Sequence, residues 1–127
     1  MKTLLLGISL ASIAFGTNIA LADGWPPSVL GTWTVTANHT NGTLLITSES
    51  SVGDCRFISG DIFGNPMHGF YCPQSGRIHF LRTVSGATIQ DYTGNLSQAL
   101  AGLPLLMAGI WDSDGGSFGE YNWSASK

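Results

Sequence analysis

The chain has 127 residues and a formal net charge of −3, with 43% hydrophobic and only 10% charged side chains. This is the reverse of a disordered composition and fits at most one ordinary domain. Beyond the N-terminus, Arg56, Arg77, Arg82 and Lys127 stand against eight carboxylates, so there is no basic stripe to grip phosphates, which argues against nucleic acid as a partner.

In chain order, residues 1–22 read as a secretory signal. Lys2 supplies a positive start, 4–15 a mostly apolar core, and Ala20-Leu21-Ala22 a small-residue cleavage site. Cleavage after residue 22 of 127 leaves 105 residues, a single domain over 23–127. The apolar run is too short for a comfortable bilayer span and no later segment resembles one. The expectation is a soluble protein without a membrane span, secreted or periplasmic.

From residue 23 onward no long apolar pattern keeps helical spacing. Short runs rich in Val, Ile, Thr, Phe, Tyr and Trp recur between Gly, Asn, Ser and Asp clusters. They predict eight strands, over 31–38, 43–50, 55–63, 67–72, 77–84, 88–96, 105–111 and 117–124. Asn41-Gly42, Gly64-Asn65, Ser75-Gly76, Ser85-Gly86 and Gly115-Gly116 carry turn chemistry between them. The longest connection, 98–104, has the Ala/Leu content for one helical turn. Evenly spaced strands with tight turns predict an all-β, eight-stranded antiparallel up-and-down barrel; a two-sheet sandwich is the competing architecture.

Cys55 and Cys72, in an exported chain, are expected to form one intramolecular disulfide. Two cysteines are too few for a structural zinc site and neither has a histidine at ligand spacing, so no metal and no cofactor is expected. If the third and fourth strands turn at Phe63-Gly64, facing residues sum to 127. Cys55 then faces Cys72, Phe57 faces Phe70 and Ser59 faces His68, a geometry that a cross-strand disulfide accepts.

Period-two alternation assigns the inner face. It places Trp33, Val35 and Ala37 inward on the first strand, then Leu44 and Ile46, then Ile58, Gly60 and Ile62. Arg82 follows Ile78 and Phe80 on the fifth strand; Gln90, Tyr92 and Gly94 share the sixth. Met107, Gly109 and Trp111 share the seventh, and Gly119, Tyr121 and Trp123 the eighth. Aromatic residues beside inner glycines suit a ligand cavity, or equally an interior in which large side chains fill the glycine spaces.

These residues resemble the avidin and streptavidin family of secreted barrels. The similarity lies in Gly31-Thr32-Trp33, Gly42-Thr43-Leu44-Leu45-Ile46, Ile58-Ser59-Gly60, Pro66-Met67-His68-Gly69, Tyr92-Thr93-Gly94-Asn95 and Gly109-Ile110-Trp111, in the family's order. The resemblance implies the same barrel, and Trp111 and Tyr92 match the family's aromatic wall. The biotin-holding positions depart from it. Val35 and Ile62 stand where the family has an asparagine and a tyrosine for the ureido ring, Leu81-Arg82 replaces an Asn-Trp pair, and a late polar partner falls near Tyr121. Each missing polar partner costs about 1–3 kcal/mol, so tight biotin binding is not expected.

Catalysis has little support. His39, His68 and His79 accompany no nucleophile motif, and each reads as a surface polar residue. Asp112 and Asp114 lack the ligand number of a calcium loop and read as a turn. Four glycosylation sequons, at Asn38, Asn41, Asn95 and Asn122, read as chance matches in Ser- and Thr-rich strands. An inward Arg82 is expected to pair with Glu120 or Asp91, to meet an anionic ligand, or to reach water at the barrel mouth. The expected function is therefore non-enzymatic binding of a small, largely apolar ligand. Trp33, Val35, Tyr92, Trp111, Tyr121 and Trp123 would line the site, with Arg82 and Gln90 as polar anchors. The alternative is a protein-interaction barrel, such as an inhibitor of an exported hydrolase that inserts a stiff exposed arm around Trp25-Pro26-Pro27. Oligomeric state stays open, with outward Phe57, Phe70, Leu106 and Ile110 available as an apolar patch for a homo-oligomer.

Overall fold

The computed structural model describes residues 24–113 and 119–127. The expected leader over 1–22, the turn pair Gly115-Gly116, Asp114 and the start of the expected eighth strand (Ser117 and Phe118) lie outside the described residues. Eight strands follow one another: β1 (Gly31–Ala37), β2 (Thr40–Val52), β3 (Cys55–Ile62), β4 (Asn65–Cys72), β5 (Arg77–Val84), β6 (Ala87–Leu96), β7 (Leu106–Ser113) and β8 (Tyr121–Ser126). Each pairs antiparallel with its neighbour in sequence, and β8 returns to β1, closing an up-and-down barrel. Closure removes both sheet edges. The sandwich alternative is thereby excluded. Among the described residues there is no helix long and apolar enough to cross a membrane, and the 98–104 connection forms a turn, Leu103 N–H to Leu100 O at 3.2 Å, in place of a helix.

Alternation builds the core as the sequence indicates. Trp33, Val35, Leu44, Ile46, Ile58, Ile62, Ile78, Phe80, Tyr92 and Met107 are all buried on the inner face. The β3–β4 register pairs Phe57 with Phe70 and Ser59 with His68. Cys55 and Cys72 are joined in a disulfide with Cα atoms 4.1 Å apart, closing the base of that hairpin.

Three local departures have physical causes. The first turn falls at Asn38-His39, not Asn41-Gly42, because both residues take positive φ (47° and 71°) in a two-residue hairpin loop. Gly42 instead lies within β2, where a Cβ would stand 2.3 Å from the Phe63 ring. In β2 the register passes from Ile46–Gly60 to Ser48–Ser59, leaving Thr47 as an extra, bulged residue. The bulge reverses the alternation and sets Glu49 on the inner side, opposite Ile58. The eighth strand runs Tyr121–Ser126; Gly119, expected inward on it, precedes the strand, exposed and at a positive φ of 95° that a strand does not accept.

The inner glycines mark close approach between strands. A Cβ on Gly109 would lie 1.9 Å from Thr93 O, and one on Gly94 would lie 2.4 Å from Ala108 O and 2.8 Å from the Trp123 ring. Of the two readings of these glycines, the structure favours filling: strand backbone and large side chains occupy the spaces. The outward Phe57 and Phe70 meet edge-to-face at 5.3 Å on β3 and β4, whereas Leu106 and Ile110 share β7. Strands β5 and β6 lie between β4 and β7, so these side chains form two patches, not one.

Candidate functional site

The two ends of the barrel differ. At the end where β2 meets β3 and β4 meets β5, the segment from Gly24 to Leu30 lies across the opening. Trp25 Nε1 donates to Leu96 O at 3.2 Å, Tyr71 Oη donates to Pro26 O at 2.5 Å, and Trp33 Nε1 donates to Val29 O at 2.9 Å. Glu49, turned inward by the β2 bulge, accepts from Val29 N at 2.8 Å and Ser28 Oγ at 3.1 Å. Gly24, Pro26 and Val29 are buried and Trp25 packs on the core. The Trp25-Pro26-Pro27 segment is thus docked as a plug. This corrects the expectation of a free exposed arm. Burial, with the Glu49 charge adding to it, pushes the Tyr71 hydroxyl up to about 12, so it stays a protonated donor to Pro26.

The opposite end, where the turns at Asn38-His39, Phe63-Gly64 and Ser85-Gly86 gather, holds a cavity of about 280 Å³. It is lined by Ala37, Asn38, Thr40, Phe63, Arg82, Gln90, Tyr92 and Trp111. Other recesses, of 260 to 390 Å³, have at most one Phe, Tyr or Trp in their walls. The mouth cavity has three.

Its aromatic wall follows from strand register. Phe80, Tyr92, Trp111 and Tyr121 stand directly opposite one another on β5 to β8. Phe80 and Tyr92 stack at 4.8 Å and Tyr92 and Trp111 at 5.9 Å, while Trp111 and Tyr121 meet tilted by 32° at 4.8 Å. Trp123 meets Tyr92 edge-on from below, at 5.7 Å, with its Nε1 donating to Thr93 O and Ile110 O at 3.1 Å each. Trp111 Nε1 is buried without a hydrogen-bond partner, the one such side-chain atom among the described residues.

Arg82 is the charged group of this end. Its Nε and Nη2 donate to Asn65 Oδ1 at 2.9 and 2.6 Å, its Nη1 donates to Gln90 Oε1 at 2.9 Å, and its guanidinium carbon lies 5.3 Å from the Phe63 ring centre. Tyr92 Oη also donates to Gln90 Oε1, at 2.7 Å. Beside Arg82 the β5–β6 register shifts by one residue, with Ile89 extra, so the bulge falls directly after the Arg82–Gln90 pair. The expected carboxylate partners do not pair with Arg82. Asp91 points outward, where His79 Nε2 lies 2.6 Å from its Oδ1, and Glu120 makes no ion pair with Arg82. Burial raises the Tyr92 hydroxyl above its ordinary value, against the pull of the Arg82 charge.

Of the residues singled out in the sequence, Arg82, Gln90, Tyr92 and Trp111 line the cavity. Trp33 and Val35 are fully buried in the core away from it, Trp123 is buried beneath it, and Tyr121 supports it through Trp111. Phe63, Asn65, Asn38 and Thr40 belong to this end and were not legible as site residues, because they sit at turns outside the alternating pattern. Among the described residues no group of three or more His, Cys, Asp or Glu could hold a metal ion. Compared with known protein families, curated proteins and solved structures, the chain matches none of them.

Proposed function

We propose that this chain is an exported, non-enzymatic binding protein, avidin-like in architecture, that holds a small, largely apolar ligand in the open mouth of its barrel. The observation that carries the reading is the asymmetry of the barrel. One end is plugged by the chain's own N-terminal segment, while the other keeps a cavity walled by Phe63, Tyr92 and Trp111 with Arg82 and Gln90 among them. Concave apolar walls with a few fixed polar groups are the common form of a small-molecule site.

Biotin is not the proposed ligand. Val35 and Ile62, at the positions matched to the family's ureido partners, are apolar and fully buried. The inhibitor alternative has no observation in its favour, since the arm it would use is docked.

Intrinsic tryptophan fluorescence, read during titration with small aromatic and acyl compounds, tests the reading. Ligands of the mouth should perturb the emission, and Trp111→Phe should remove most of that response. A protein unresponsive to every compound, or responsive with Trp111→Phe unchanged, would contradict it.

A further inference from the structure

At the mouth cavity, Arg82 and Trp111 keep hydrogen-bond donors that the amide oxygens beside Arg82 do not receive. Asn65 Oδ1 takes two N–H groups of Arg82, and Gln90 Oε1 takes one from Arg82 and the hydroxyl of Tyr92. Both amide oxygens are then saturated, since an sp² oxygen offers two lone pairs. On the guanidinium, Nη1 and Nη2 each keep a further N–H. Trp111, in the same wall, keeps a buried N–H without a partner.

The charge is also unmatched among the described residues: none of their carboxylates lines the cavity or forms an ion pair with Arg82. The nearest in sequence, Asp91, is turned to the outer face and engaged with His79. Asn65, Gln90 and Phe63 fix the guanidinium in place, so little side-chain freedom remains to be lost on binding. A fixed, half-buried cation beside a surplus donor calls for an acceptor-rich anion, and the aromatic faces call for a flat apolar body.

Resting on the binding function proposed above, we infer that the mouth is selective for small carboxylates with a flat apolar body, with Arg82 receiving the carboxylate. Arg82 forms charge-assisted hydrogen bonds with such a group, which a neutral amide of the same shape cannot reproduce.

Isothermal titration calorimetry of the purified protein with phenylacetate and cinnamate, each against its carboxamide, tests this, with inorganic phosphate as a third arm. The carboxylates should bind at least about tenfold more tightly than the matching amides. Arg82→Gln should abolish that preference, bringing the acid-to-amide affinity ratio to about one, and Arg82→Lys should retain part of it. Near-ultraviolet circular dichroism verifies that the variants keep the barrel. Equal affinity for acid and amide, or a preference that survives Arg82→Gln, would overturn the charge selection and leave the binding function standing. Phosphate competing as well as the carboxylates would overturn the requirement for a flat apolar body. Binding of none of the probes would defeat the binding function and this inference together.

Discussion

Trp111 and Trp123 form a matched pair that turns the unpartnered N–H into a stability measurement. Both lie on the inner face, 9% and 2% exposed, and both contact the Tyr92 ring. They differ at Nε1. That of Trp123 donates to two carbonyl oxygens, and that of Trp111 donates to none. Replacing either by Phe removes the same atoms, so the truncation costs are comparable. At Trp123 the substitution also loses a hydrogen bond worth about 1 kcal/mol. At Trp111 it removes a buried donor whose desolvation goes uncompensated, which returns about 1–3 kcal/mol and offsets the truncation. Trp123→Phe should therefore be less stable than Trp111→Phe by about 2–4 kcal/mol. Urea unfolding followed by far-ultraviolet circular dichroism reads the difference. With a slope of about 1–3 kcal/mol/M for a small domain, the two midpoints should stand roughly 1 M or more apart. Coincident midpoints, or a lower one for Trp111→Phe, would show that the Trp111 N–H is satisfied in solution and would refute the reasoning.

The remaining expectations concern the frame around the site. Replacing both Cys55 and Cys72 by Ser opens a loop of 17-residue separation and should cost about 3 kcal/mol in the chain-entropy account, read by urea unfolding, with the β3–β4 pairing still formed. Gly42→Ala places a Cβ against the Phe63 ring, which should cost about 1–3 kcal/mol by overpacking and pull the ring away from Arg82, visible as changed ring shifts in NMR. Tyr71 titrates near 10 in the unfolded chain and at about 12 in the folded one. The raised folded value contributes stability that is complete below about pH 10 and disappears as pH rises through about 12. Unfolding measured across that window should show the loss, and Tyr71→Phe should flatten it.

Much of this fold is written locally. Alternation indicates most of the buried inward residues, and the Phe63-Gly64 turn sets the β3–β4 register that brings Cys55 to Cys72. Alternation says which face a side chain takes, not how far along the barrel axis it lies. That depth depends on strand tilt and stagger. Trp33, Val35 and Trp123 were therefore grouped with Tyr92 and Trp111, although only the last two reach the mouth. A single bulged residue, Thr47, reverses the pattern downstream and hid the inward turn of Glu49. The docking of Trp25 and Pro26 on Leu96 and Tyr71 spans 71 and 45 residues, with no local signal beyond the stiffness of Pro26-Pro27. The amide cradle of Arg82 is equally hidden, because Asn65 stands on the neighbouring strand β4, at its start beside a turn.

The most direct test of the central claim is a two-dimensional NMR titration of the four tryptophan indole N–H resonances and the Arg82 Nε–H with phenylacetate. The mouth account predicts that the Trp111 indole and the Arg82 Nε–H shift saturably together, while the Trp25 and Trp33 indoles at the plugged end hold still. Shifts centred on Trp25 or Trp33, or a titration that leaves Trp111 and Arg82 unmoved, would contradict it.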